Sequence, residues 1–346
     1  MKILEFDANN ASERVLRGVY EVVAAYERDE VPGDEPAPFL YHLTRWQASC
    51  PEHDTRDRFY AEIDGEVVGF ADIKRLPLDD PANMQIWLMV SPRHRDGGVG
   101  ERLLAHVIDW GEQQGVERLA IDLASHLPDN DEVERLGMSH VLTLRRNRLL
   151  TRDIDWDLMD RWVQRSRERS SAEYELVRFE TRVPDEHLEA WARIKCVMND
   201  APDGELEHEE LIMTPEKWRA EEEETEARGD DYYAIGALHK ATGEFAGFTD
   251  VFLPRHWQTH AWQEDTGVHH AHRGRGLGKW LKAEMARWLR ADRPQIERID
   301  TMNAGSNAPM LAINVEMGFR PLVDYKVWQA PTEVIRARLA AGTFAV

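Results

Sequence analysis

Residues 272–281 read HRGRGLGKWL, with glycines at three alternate positions, two arginines and a lysine. Glycine at 274, 276 and 278 lets the backbone adopt positive φ and approach a ligand closely. The apolar spacing that follows predicts a helix, whose first N–H groups have no intrahelical acceptor and sit at the positive end of its dipole. Arg273, Gly274, Arg275, Gly276, Leu277, Gly278 and Lys279 thus form a candidate anion loop, for which a phosphate or pyrophosphate is the natural guest. A glycine-rich turn with solvent-facing arginines is the alternative. The spacing is neither that of the P-loop, GxxxxGK followed by Ser or Thr, nor that of the GxGxxG dinucleotide fingerprint. Histidines 260, 269, 270 and 272 crowd the same region. They form no HExxH pattern and have no cysteine near them, so no metal site is expected; His270 and His272 are expected to flank the phosphates.

The elements that must position this loop occur twice. GEVVGFADI, starting at Gly65, returns as GEFAGFTDV, starting at Gly243, an offset of 178 residues. At the same offset Val90, Arg95, Gly98, Gly100 and Leu103 return as Val268, Arg273, Gly276, Gly278 and Leu281. Each copy opens with a helical pattern (RVLRGVYEVVAAYE, DEHLEAWARIKCVMN). A β-hairpin turning at Asp64-Gly65 or Thr242-Gly243 comes next, then a third strand (Met84 to Val90, Asp265 to Val268), the glycine loop and a helix. A further strand ends the shared pattern, and the second copy adds a helix in NAPMLAINVEMGF. The amphipathic helix Asp155 to Arg167 and the RERSS stretch set the expected division into residues 1–170 and 171–346.

Composition bounds the rest. The 346 residues, 42% of them hydrophobic, suit two cores of ordinary size. Forty-three Lys and Arg against 64 Asp and Glu give a net charge of −21, which repels nucleic acid and anionic membranes. No apolar run approaches the roughly 20 residues that span a bilayer, and the first residues lack the order of a signal peptide, so a cytoplasmic protein is expected. Cys50 and Cys196 are too few for a disulfide framework and are read as small core or surface residues.

The strand, glycine loop and helix resemble the GNAT superfamily of acyl-CoA-dependent N-acetyltransferases. That family's pyrophosphate loop is Arg or Gln, two residues, Gly, one residue, then Gly or Ala. Arg273, Gly276 and Gly278 match it, as do Arg95, Gly98 and Gly100, with Val268 and Val90 five residues ahead of each arginine. Asn307, eleven residues before Gly318-Phe319, stands where the family places an asparagine on the pantetheine arm. The resemblance covers most of the chain and is similar to the tandem arrangement of mycothiol synthase and its relatives. It implies an α/β (α+β) fold of two tandem GNAT domains, each a mixed, mostly antiparallel sheet flanked by helices. It also implies acetyl-CoA as cosubstrate, no metal, and a cofactor site of Val268, the loop 273–279 and Asn307.

Departures divide the copies. Asn314 stands where the family often has the tyrosine that protonates the leaving thiolate, leaving water or another tyrosine such as Tyr325 for that task. The first copy has His126 at the Asn307 position, Val133 at the tyrosine position, Gly137-Met138 for Gly-Phe and Asp96 in its loop, and is read as a degenerate domain. In the second copy the resemblance implies that the backbone N–H near Val268 polarises the thioester carbonyl, while an amine attacks it directly. A base is then needed upstream on the same strand. Alternation puts Val268, Thr266, Glu264 and Trp262 on one face unless a bulge intervenes; Glu264 is the first choice, with Asp265 and His260 behind it.

NDAPDGELEHEE, residues 199–210, carries six carboxylates and no Lys or Arg, and is expected to border the acceptor cleft. EEEETE at 221–226 is read as an exposed helix, and tryptophans 218, 257 and 262 as core or cleft lining. The reading is an acetyltransferase acting on a primary amine of a small cationic molecule, with neither nucleic acid nor membrane as partner and a homodimer left open. The alternative is a non-catalytic acyl-CoA-binding or sensing module.

Overall fold

The computed structural model describes residues 1–48, 55–76, 80–202 and 204–342, so Cys50 lies outside the described residues. In chain order the elements of the first repeat are β1 (Lys2–Glu5), α1 (Glu13–Glu30), α2 (Phe39–Gln47), β2 (Thr55–Ile63), β3 (Glu66–Leu76), β4 (Asp80–Val90), α3 (Val99–Gln113), β5 (Arg118–Ala124), α4 (Asp129–Arg135) and β6 (Ser139–Leu150). After α5 (Trp156–Ser170) the order returns as β7 (Tyr174–Glu180), α6 (Asp185–Lys195), α7 (Pro215–Ala227), β8 (Asp230–His239), β9 (Glu244–Pro254), β10 (His260–Val268), α8 (Leu277–Asp292), β11 (Arg298–Ala304), α9 (Ala308–Met317), β12 (Arg320–Pro331) and α10 (Thr332–Ala340).

Local chemistry explains the main elements. Ser12 caps α1, accepting from the Val15 N–H, and the stripe Val15, Val19, Val22 and Val23 is buried. Asp64 and Gly65 both take positive φ, 50° and 84°, which lets β2 and β3 meet in a two-residue hairpin. The glutamates of α7 correct the expectation of an exposed run. Glu222 is buried, accepting from the Val183 N–H at 2.7 Å and the Trp218 indole at 2.9 Å, and Glu224 is buried against Arg228. These carboxylates tie down a helix that has no continuous apolar stripe.

The chain forms two compact units, and a single cut near residue 170 does not separate them. One comprises Met1–Leu144, Asp203–Glu209 and Val323–Val346; the other comprises Arg145–Pro202 and Glu210–Leu322. The first holds strands in the order β1, β2, β3, β4, β5, β12, with β12 antiparallel to β5 from Tyr325↔Ala124 to Pro331↔Arg118. One face of its sheet packs Ile86, Leu103, Val107, Leu119 and Ile121; another core gathers Phe6, Trp46, Tyr60 and Phe70. The second holds the latter part of β6, then β11, β10, β9, β8 and β7. Arg146 and Arg148 on β6 both bond the fully buried Asp300 of β11, at 2.7 Å each. The last strand of each repeat therefore completes the unit built mainly from the other.

One parallel pair interrupts each sheet. β4 and β5 pair from Asn83↔Arg118 to Ile86↔Ile121, and β10 and β11 from His260↔Arg298 to Gln263↔Thr301. Among the described residues neither pair runs further, although all four strands continue, so the strands part at their C-terminal ends. Ladder N–H and C=O groups left open in this way are available to a guest. In the first unit the gap is a cavity of about 280 Å³ lined by residues including Leu88, Val90, Gly100, Leu104, Leu123 and Val133.

Candidate active site

The second unit's glycine loop has the local geometry that its sequence demands. Gly274 and Gly276 lie at φ 76° and 82°, and Gly276 precedes the first turn of α8, which no side chain caps. A Cβ at Gly278 would sit 3.5 Å from Ile313 Cδ1 and 4.0 Å from Val268 Cγ2, so this glycine faces the end of β10 and the middle of α9. The loop's charges are held by carboxylates. Arg273 bonds the Val268 carbonyl at 3.0 Å and Asp200 at 2.7 Å, Arg275 bonds Glu173 at 2.6 Å, and Lys279 pairs with Glu316. Each is an exposed ion pair, which a polyphosphate can displace at small cost. Leu277 is buried in the core beneath the loop.

Upstream, β10 carries a bulge. Gln263 faces Val251 of β9 and Thr266 faces Thr249, so three residues of β10 are spanned by two of β9. The extra residue breaks the alternation that would have put Glu264, Thr266 and Val268 on one face. It also turns the two carboxylates to different surroundings. Asp265 is bound to Lys195 at 2.6 Å, and its N–H donates to Asp250 at 2.8 Å. Lys195 bonds Asp250 at 2.9 Å as well, and the Tyr232 hydroxyl donates to the same Asp250 oxygen at 2.8 Å. Burial opposes the charge on Lys195, but the two carboxylates win and hold its pKa well above normal.

Glu264 is exposed to solvent, although protein packed around it still desolvates its carboxyl group. Desolvation, with the charges of Asp265 and Asp250 behind it, raises its pKa to about 7. A carboxyl group so placed exchanges a proton near neutral pH, as a general base requires. Three carboxylates gathered round one lysine leave a negative surplus that favours a cation.

Other expected residues stand as follows. Val268 ends β10, paired with Gly247. Asn307 caps α9, its Oδ1 accepting from the Met310 N–H at 3.3 Å. Asn314 is buried and donates to Asn303 at 2.8 Å, and its Oδ1 has no partner among the described residues. Tyr325 belongs to the first unit, in register with Ala124. His260 stacks on Trp257, and desolvation lowers its pKa to about 3, so it does not share the cleft's neutral titration. His272 bonds the Tyr174 hydroxyl at 2.7 Å, and His270 is exposed. Among the described residues no group of three or more His, Cys, Asp and Glu side chains could hold a metal ion. Cys196 is half-buried, bonded to the Ala192 carbonyl and the Met213 N–H. Of the acidic loop, Asp200 holds Arg273, whereas Glu205 and Glu207 lie in the first unit, the former bonded to Val141 and the latter to Arg118.

Sequence reasoning missed Lys195, Asp250, Tyr232 and Lys282. The signal for two of them was a lysine on an apolar helix face: Lys195 follows Trp191 and Ile194, and Lys282 stands one turn after Gly278.

The acetyltransferase (GNAT) family model matches residues 19–137 and 197–319. A solved tandem GNAT protein from the clavulanic acid biosynthesis pathway superposes with a TM-score of 0.76 at 23% identity, covering 96% of this chain and 98% of that one. A GCN5-related N-acetyltransferase from Sphaerobacter thermophilus superposes with a TM-score of 0.62 at 16% identity, covering 95% of this chain and 96% of its own. An amino-acid acetyltransferase of Neisseria meningitidis is 45% identical over 58 residues, 17% of this chain and 13% of that protein. No described helix is long and apolar enough to cross a membrane. With one family model matching both copies of the strand, glycine loop and helix, the chain belongs to the GNAT family of acetyltransferases.

Proposed function

We propose that the second unit transfers an acetyl group from acetyl-CoA to a primary amine of a small cationic acceptor by direct attack. The carrying observation is Glu264: an open carboxyl group, titrating near pH 7, on the bulge of β10 four residues before the strand ends at Val268 and the glycine loop begins. Arg273, Arg275 and Lys279, with the N–H groups that open α8, hold the pyrophosphate, and Gly278 leaves room for the arm. The Val268 N–H polarises the carbonyl, Glu264 takes a proton from the ammonium, and Asp265, held by Lys195, adds to the negative field that draws the cation in. Asn307 stays with the pantetheine arm while it caps α9. The degenerate loop of the first unit leaves chemistry to the second.

Asn314 favours a second reading, a protein that binds acyl-CoA without turning it over, because an amide is not an acid that protonates a thiolate. Calorimetric titration of acetyl-CoA, followed by a screen of amines for free-thiol release, separates them. One site per chain, with turnover of a cationic amine that Glu264→Gln abolishes, supports the enzyme. Saturable binding with no turnover of any amine favours the second reading, and no binding defeats both.

A further inference from the structure

Lys282 is about 1% exposed, on the second turn of α8. Lysine is almost never buried this fully without a counter-charge. Yet no hydrogen bond or ion pair reaches its ammonium among the described residues, and its closest aromatic contact is the Phe319 ring at 5.3 Å. Charged groups on and around its helix are engaged elsewhere: Lys279 with Glu316, Glu284 with Arg167 and Arg178, Arg287 with Asp160, Asp300 with Arg146 and Arg148, Asp250 and Asp265 with Lys195. Asp231 on β8 pairs with Arg255 and Arg293, and Glu244 on β9 with Arg193. Glu264, on β10, is open. Desolvation alone lowers the Lys282 pKa, to about 7.

The internal repeat shows where this side chain lies. At the offset of 178 its counterpart is Leu104, which lines the first unit's cavity with Leu88, Val90 and Gly100. The counterparts of those three are Thr266, Val268 and Gly278, and Gly278 does face Val268 and Ile313. Helical side chains lean toward the preceding turn, so Lys282 leans toward the turn of Gly278. Phe319, beneath the ammonium, gives its N–H to the Asn314 carbonyl at 2.9 Å, and Asn314 is the position that lacks the tyrosine.

We propose that Lys282 is the acid that protonates the departing CoA sulfur. This rests on the acetyl-transfer reading given above. As the tetrahedral intermediate collapses, the carbon–sulfur bond breaks with its electron pair going to sulfur, and a proton passes from Lys282 Nζ to the sulfur. Free CoA leaves as the thiol, Lys282 is left neutral, and water reprotonates it. The acceptor ammonium loses two protons in all, one balancing that on sulfur and one released to solvent. A lysine with no carboxylate partner gives up its proton readily to a thiolate, the stronger base.

Hydroxylamine tests this as an acceptor that is already unprotonated at neutral pH, so that leaving-group protonation is separated from the work of Glu264. Thiol release from acetyl-CoA is followed against pH in the full-length wild type, Lys282→Met and Lys282→Leu, the last restoring the residue of the first unit. The wild-type rate is expected to fall as pH rises through about 7. Both variants are expected to lose that limb and roughly a hundredfold in rate, with calorimetric affinity for acetyl-CoA within twofold of wild type. Variants that bind acetyl-CoA and keep both rate and limb overturn the proposal while leaving the acetyl-transfer reading standing. If wild type fails to bind acetyl-CoA, both fall together.

Discussion

The two clefts of this chain share a backbone and differ in charge. In both, a left-handed glycine, Gly98 at φ 67° or Gly276 at φ 82°, starts the helix. In both, a second glycine faces a valine at the strand end, with its virtual Cβ 3.6 Å from Val90 or 4.0 Å from Val268. Around the first cleft stand Asp29, Asp96, Glu101, Asp129 and Glu132, and its arginine, Arg95, is paired with Asp29. Burial first, and then the neighbouring Asp129, raise the Glu132 pKa. The second loop carries Arg273, Arg275 and Lys279, each held in an exposed ion pair. The first copy has the shape without the charge: glycine provides a backbone path, but an anion site also needs a positive field.

Experiments can press on this contrast from its most costly element downward. Glu264→Gln is expected to lower kcat by roughly 10²- to 10⁴-fold with acetyl-CoA affinity unchanged, measured by thiol release and calorimetry. The wild-type rate with an ammonium acceptor should be bell-shaped, rising toward about pH 7 as the Glu264 carboxylate forms and falling above it as Lys282 loses its proton; in the Gln variant the rising limb should vanish. Arg273→Ala is expected to weaken acetyl-CoA binding by about 1.5 to 3 kcal/mol, the worth of a hydrogen bond to a charged group. Arg95→Ala should change it by less than twofold, and equal losses from the two variants would end the asymmetric reading of the copies. The smallest effect is expected of Asp200→Asn. Freeing Arg273 from an exposed ion pair should strengthen binding by about 0.2 to 1 kcal/mol, visible as a slower release of CoA.

Much of this was legible in the sequence because it is local. The glycine loop, the hairpin turns and the repeat are fixed by residue types at set spacing, and the strand–loop–helix order follows from them. The roles of Glu264 and Asp265 were harder to divide. Alternation along a strand predicts faces only while the register holds, and within the bulge after Gln263 Asp265 bonds Asp250 and Lys195, residues distant in sequence. Lys195 and Lys282 were passed over because burial is a property of neighbours, not of the residue. Glu222 of α7 misled for the same reason: its partner Val183 is distant in sequence and visible only in the fold.

The placement of β12 has a consequence for how this protein is made. Its ladder with β5 joins residues about 200 apart in sequence. The N-terminal unit therefore cannot close its sheet while it emerges from the ribosome. Until residues 325–331 arrive, the edge of β5 stays open, an invitation to wrong partners. The unit with the acidic cleft is thus the one that must wait for β12, and a chain truncated before β12 should be a substrate for chaperones and proteases.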